Sequence, residues 1–215
     1  LSRRQRQMCI RDSRCLAVDE NGNEIDGDKI MAIISSSLRK KGKLAKDTIV
    51  ATVMSNLGLT KYARDNGLEL LQTKVGDRYV LEEMLKDGFN LGGEQSGHVI
   101  LLDYNPTGDG ILTSLMLIKS ILEENKKASQ MAQMVKLYPQ VLVNAKVDSE
   151  KKYGFKDDKE IKNAIEKLEK EFAGNGRVLI RPSGTEPLVR VMIEGEDQKY
   201  IQKKACLLYT SDAAD

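Results

Sequence analysis

Residues 181–194 read RPSGTEPLVRVMIE, and they decide the architecture of the carboxy-terminal part of the chain. An apolar run at 177–180 leads into a turn of hydroxyl and glycine residues, and a second apolar run leaves it at 188–193. Two short strands around a tight turn predict a β-hairpin. The chemistry of the turn suits a dianion. Ser183 and Thr185 offer hydroxyl donors, and Gly184 lets backbone amides approach closely. Arg181 and Arg190 flank the turn, and two guanidinium groups can fork onto phosphate oxygens. The same residues also fit a surface hairpin with two solvated arginines, since a motif is only a hypothesis.

Outward from the hairpin, residues 140–147 alternate Val141, Val143, Ala145 and Val147 on one face, as a half-buried strand does. A charged segment follows at 148–158. Residues 159–172 carry Ile161, Ile165, Leu168 and Phe172 at helical spacing. A last helix begins at 196–205 and is expected to break off in CLLYTSDAAD, residues 206–215. Strands and helices in this mixture indicate a small α+β domain over 136–205. Upstream, the pattern alternates strand and helix. Residues 28–40 carry Ile30, Met31, Ile33, Ile34 and Leu38 in a helical stripe. Residues 48–54, TIVATVM, form a continuous β-branched run that suits a strand buried on both faces. Helices are expected at 57–66 and 77–86, closed by Gly67 and Gly88. Strands are expected at 69–74, 90–94 and 99–102, and a long apolar helix at 109–124. Residues 16–18 read as a strand end, 19–22 as a turn, and 23–26 as the start of the next helix. Strands alternating with amphipathic helices indicate a three-layer α/β domain with a mostly parallel sheet, over 25–135.

Bulk composition narrows the function. With 34 Lys and Arg against 32 Asp and Glu, nothing argues for a nucleic-acid surface. No apolar run is long enough for a transmembrane helix, and residues 1–6 lack the apolar core of a signal peptide. The three cysteines, Cys9, Cys15 and Cys206, show neither metal spacing nor a disulfide framework, which fits a reducing cytoplasm. No GxxxxGK[ST] spacing occurs, so a nucleotide-binding P-loop is a poor reading.

A second glycine-supported turn lies at 92–98, GGEQSGH. Glu94 can accept two sugar hydroxyls, and Ser96 can donate or accept. Taken alone, a tight polar hairpin is the more ordinary reading. His98, the only histidine, stands at the start of an apolar strand, where a structural hydrogen-bonding role is commoner than acid–base chemistry. Residues 73–78, TKVGDR, form a strand-to-helix turn that could present amides to an oxygen-rich ligand or simply cap a helix. Lys74 and Asp77 are its candidate contacts.

RPSGTEP followed by a strand with an internal arginine resembles the phosphate-binding loop of the α-D-phosphohexomutase superfamily. GGEQSGH resembles that superfamily's sugar-recognition loop. The similarity runs from about Arg14 to about Ala205, and the wording of the flanks is closest to the branch that acts on glucosamine phosphate. The resemblance implies a phosphate shuttle. A phosphoserine in an amino-terminal domain donates to a hexosamine monophosphate and recovers the other phosphate after the bisphosphate reorients. By resemblance, Glu94 and Ser96 bind sugar, and Arg181, Ser183, Gly184, Thr185 and Arg190 hold the phosphate that is not in transit. Lys74 and Asp77 line the site, and His98 stands near the sugar, where it can take part in proton transfer. Magnesium, held by an acidic loop of the pattern DGDADR or DGDGDR, is the implied cofactor. Here only Asp12 remains of that loop's carboxylates, out of register, and no stretch resembles the serine loop. The isolated chain is therefore expected to bind without catalysing turnover. Residues 14–24 read as a remnant of the metal-loop domain. Residues 1–13 and 206–215 resemble translated adapter sequence, an expectation that genomic reads across both junctions would overturn by supporting the ends as written. Two other readings stay open: a phosphomannomutase or phosphoglucomutase of the same superfamily, and a non-catalytic module that binds phosphosugars.

Overall fold

A computed structural model describes residues 12–147, 159–183 and 186–211. The chain divides into two compact units, 1–137 and 138–215.

In the first unit, β1 (Ala17–Val18) and β2 (Glu24–Ile25) pair as a small antiparallel ribbon. Asp19 builds the turn between them by accepting from the amides of Asn21 and Asn23. The expected helix start at 23–26 is corrected here. Residues 24–25 are strand, and helix α1 (Gly27–Lys40) begins only after Asp26, whose carboxylate caps it by accepting from the Lys29 amide at 3.1 Å. An Asx cap needs extended backbone at the capping residue, and that keeps the helix from starting earlier.

The central sheet has four strands: β3 (Thr48–Thr52), β4 (Glu69–Thr73), β5 (Leu91–Gly93) and β6 (Val99–Leu101), in the order β4-β3-β5-β6. β3 runs parallel to both its neighbours, and β6 is an antiparallel edge strand hairpinned to β5. Every residue of β3 is buried, as its unbroken β-branched sequence requires when both faces are covered. Its side chains alternate between two cores. Ile49 and Ala51 join one with α1, α2 (Leu57–Asp65), α4 (Gly110–Glu123) and α5 (Ala128–Ala132), while Val50 meets Val80 and Met84 of α3 (Asp77–Asp87) on the other face. Gly88 ends α3 in the left-handed region at φ 73°, the usual glycine stop. The sheet between helical layers is the three-layer arrangement expected from the sequence.

The second unit is an antiparallel sheet of β7 (Gln140–Lys146), β9 (Leu188–Gly195) and β8 (Gly176–Pro182), with β9 in the middle. Helices α6 (Lys159–Phe172) and α7 (Gln198–Ser211) supply Leu168, Phe172, Ile201 and Ala205 to a core with Val141, Val191 and Ile193. Expected breakage of the last helix after Ala205 is not observed: α7 continues to Ser211. Residues 198–211 contain no proline or glycine, so nothing in the backbone chemistry stops it. Among the described residues, no helix is long and apolar enough to cross a membrane.

Candidate functional site

The two candidate loops lie in different units. The first is the β5–β6 turn. Its backbone closes through Gly97 N–H to Glu94 O (3.0 Å) and Glu94 N–H to His98 O (2.9 Å). Gly97 sits at φ 87°, and a Cβ there would overlap the Cys15 carbonyl, so both conformation and space demand glycine. The turn is anchored on two sides. The Cys15 amide donates to Gly97 O and the Gly27 amide to Gln95 O, each at 2.9 Å, and the Gln95 side chain donates to Asp26 at 3.3 Å. A loop held by the first residues of α1 and by the incoming chain is a preorganised one.

Two side chains of the turn are linked through one carboxylate. The Glu94 carboxylate accepts from the Gly76 amide (3.2 Å) on one oxygen and from the Ser96 hydroxyl (3.3 Å) on the other. Ser96 is exposed and Glu94 half-buried, so both present polar atoms to solvent while remaining oriented. The amide of Gly76 thus serves the protein's own carboxylate rather than a ligand, which refines the expectation for residues 73–78. His98 is buried, with its Nε2 3.8 Å from the Asp77 carboxylate. Burial pushes its pKa below the ordinary 6.5, helped by Arg14 and opposed by the charges of Asp77 and Glu94. The imidazole is therefore neutral at pH 7 and able to accept a proton. Glu94, Ser96, His98 and Asp77 come together. Lys74 is exposed and places its ammonium 5.9 Å from the centre of the Tyr79 ring.

Sequence reasoning missed Gly108. It lies against the His98 ring so closely that a Cβ would overlap three ring atoms. In the sequence it was one residue of a stretch leading into a helix, and nothing in local spacing ties it to a histidine ten residues earlier. Arg14 was missed as well: it bridges to His98 as an isolated antiparallel pair.

The second loop joins β8 to β9. Arg181 and Arg190 are direct cross-strand partners, so their side chains leave the same face of the sheet as adjacent like charges, a destabilising arrangement without an anion. Burial, then repulsion from Arg190, lowers the Arg181 pKa. Arg190 reaches Glu186 at 3.0 Å through one terminal nitrogen, while its buried Nε has no hydrogen-bond partner. Ser183 is buried, donates its amide to Leu188 O (2.9 Å) and accepts from the Glu186 amide at its hydroxyl (3.3 Å). Its O–H remains available to donate. Gly184 and Thr185 lie outside the described residues. Two adjacent cations, one of them paired with Glu186, lie beside an unpartnered guanidinium N–H and a hydroxyl donor, donor chemistry of the kind that suits an oxygen-rich anion.

The family described as phosphoglucomutase/phosphomannomutase, alpha/beta/alpha domain III, matches residues 26–138, and its C-terminal domain matches 142–205. The chain belongs to the phosphoglucomutase/phosphomannomutase family. A phosphoglucosamine mutase from Ruminiclostridium cellulolyticum is 61% identical over 192 residues, covering 89% of this chain and 43% of the relative. One from Caldicellulosiruptor bescii is 59% identical over the same shares. The chain thus spans less than half the length of these curated family members. Among solved structures, an N-acetylglucosamine-phosphate mutase in its substrate complex aligns with a TM-score of 0.73 at 21% identity, covering 95% of this chain and 47% of that one. Aspergillus fumigatus N-acetylphosphoglucosamine mutase, in complex with GlcNAc-6P and magnesium, aligns at 0.72 and 20% identity, covering 93% and 46%. At these identities the structural likeness shows the shared fold.

Proposed function

We propose that this chain is the sugar- and phosphate-recognising part of a phosphoglucosamine mutase, an isomerase that interconverts glucosamine-6-phosphate and glucosamine-1-phosphate in the cytoplasm. The observation that carries the reading is the 61% identity to a phosphoglucosamine mutase across both units, together with the oriented Glu94–Ser96 pair. Relatives at 57–61% identity bearing that name favour glucosamine over mannose or glucose.

Each residue has a chemical task. The Glu94 carboxylate accepts hydrogen bonds from vicinal sugar hydroxyls, and Ser96 adds one donor or acceptor. Arg181 and Arg190 fork onto phosphate oxygens, with Ser183 O–H, Gly184 and Thr185 completing the cradle. Neutral His98 takes a proton from a hydroxyl or returns it, and Asp77 stabilises the imidazolium so formed. Lys74 and Asp77 add contacts beside the sugar. Holding the substrate in this way supplies much of the acceleration in phosphoryl transfer, where positioning and electrostatics dominate.

Magnesium is the implied cofactor. Among the described residues, no group of three or more His, Cys, Asp or Glu side chains could hold a metal ion. The described residues do not fit the metal.

Titration with glucosamine-6-phosphate, mannose-6-phosphate and glucose-6-phosphate under identical salt tests the proposal. Tightest binding of the glucosamine ester is expected. Preference for the mannose or glucose ester would move the chain to another branch of its family. Equal binding of all three esters would favour a non-catalytic binding module.

A further inference from the structure

One face of the second unit's sheet packs on its helices: Val141, Val191 and Ile193 share a core with residues of α6 and α7. Side chains alternate along a strand, so Leu142, Asn144 and Lys146 of β7 leave the other face. Register arranges that face in cross-strand rows. Asn144 stands opposite Arg190, and Arg190 opposite Arg181, which makes one row across the three strands. Toward the turn, Lys146 stands opposite Leu188, whose carbonyl accepts from the Ser183 amide at 2.9 Å. Away from the turn, Leu142, Met192 and Leu179 form an apolar row, which confines the polar part of the face to the end that carries the arginines. Direct cross-strand neighbours have Cβ atoms about 4.5–5.5 Å apart. Asn144 is thus as near a neighbour of Arg190 as Arg181 is.

The chemistry of that position favours a ligand contact. Asn144 is exposed, and its amide carries two N–H donors. Beside two adjacent guanidinium groups, a neutral donor adds hydrogen bonds without adding to the repulsion that a third cation in the row would bring. Lys146, also exposed, supplies its charge from the diagonal position, where neighbours are about 7–8 Å apart. Glu186 reaches Arg190 from the turn at 3.0 Å, so the β7 side is where Arg190 meets a donor rather than an acid. A phosphate ester has three terminal acceptor oxygens, more acceptor capacity than Arg181, Arg190 and the Ser183 hydroxyl fill. We infer that Asn144 is a further phosphate-binding residue, donating its side-chain amide to the anion held by Arg181 and Arg190, so that the clamp spans all three strands. It rests on the functional reading above for the ligand being a phosphate ester.

The test titrates glucosamine-6-phosphate, and separately inorganic phosphate at equal ionic strength, into the 215-residue chain and into Asn144→Ala, Asn144→Asp and Arg190→Ala. Asn144→Ala is expected to weaken both ligands by about tenfold, as for the loss of one hydrogen bond to a charged group. Asn144→Asp keeps the side chain's size but replaces the donor with an anion. It is expected to weaken both ligands further than the alanine does, while the melting temperature holds or rises as the new carboxylate meets Arg190. A purely structural role would do the reverse, lowering the melting temperature and leaving affinity unmoved. Unchanged affinity in Asn144→Ala beside a loss in Arg190→Ala overturns the inference and leaves the functional reading standing. Binding by Asn144→Asp as tight as by the unaltered chain overturns it too. So does a loss confined to glucosamine-6-phosphate, which would assign Asn144 to the sugar. No binding by the folded chain, or equal binding by Arg190→Ala, overturns the phosphate clamp itself and the inference with it.

Discussion

The turn at 94–98 and the hairpin at 181–190, the proposed sugar and phosphate loops, are built in opposite ways. Turn 94–98 is assembled from distant parts of one unit: Cys15 and Gly27 anchor its backbone, Gly76 orients Glu94, and Gly108 and Asp77 bound His98. Its polar groups are mostly satisfied by the protein. The hairpin at 181–190 is built from its own two strands, and it leaves two cations facing each other with a buried N–H unpaired. The first is braced by several elements of its unit. The second sets two cations side by side, with Glu186 beside Arg190.

If that contrast is right, the largest effect follows from reversing one charge in the hairpin. Arg181→Glu would place a carboxylate opposite Arg190 and remove two or more charge-assisted bonds, each worth about 1.5–3 kcal/mol. Phosphate affinity should fall by roughly three orders of magnitude while the melting temperature holds or rises. A lower melting temperature would mean that the arginine pair is not under strain. Next in size is Glu94→Gln, which loses one charged acceptor and should weaken glucosamine-6-phosphate binding by about tenfold or more. Inorganic phosphate binding should stay as it was, and an equal loss for both ligands would erase the distinction between the two regions.

Gly108→Ala should cost about 1–3 kcal/mol through overpacking against the imidazole. It should also shift the ring signals of His98, the only histidine, so that its resonances need no assignment. Unmoved signals would deny the contact. The smallest effect is on pH dependence. Because burial lowers the folded pKa of His98 below 6.5, the unfolded chain binds a proton more readily below that value. The contribution of His98 to stability is thus complete above pH 6.5 and is lost as pH falls toward the folded midpoint. Asp77→Asn removes a cause that raises the pKa, so the midpoint should move lower. An upward shift would contradict the 3.8 Å pairing.

The same contrast explains what the sequence could and could not disclose. The hairpin and its arginine pairing were legible because they are local: Arg181, Ser183 and Arg190 lie within ten residues, and cross-strand pairing puts both arginines on one face. Strand β3 and helix α1 were legible because their apolar period matches their burial. The clamp on His98 was not, since Gly108 and Arg14 meet it only once β6, α4 and the incoming segment have packed. Residues 24–25 misled for a related reason. Their two-residue pairing with β1 is too short to leave a periodic signal, whereas the Asp26 cap next to them reads strongly as helix. At the other end, helix α7 runs on through residues 206–211 because backbone chemistry, unlike family resemblance, gives no reason to stop.

The most direct measurement is calorimetric titration of glucosamine-6-phosphate into the folded chain and into Arg190→Ala. Binding by the chain, weakened by about 2 kcal/mol or more in the variant as expected when a buried charged partner is truncated, is the anticipated result. Equal binding by the two proteins, or none by a chain shown to be folded, would contradict the assignment of residues 181–190 as a phosphate clamp.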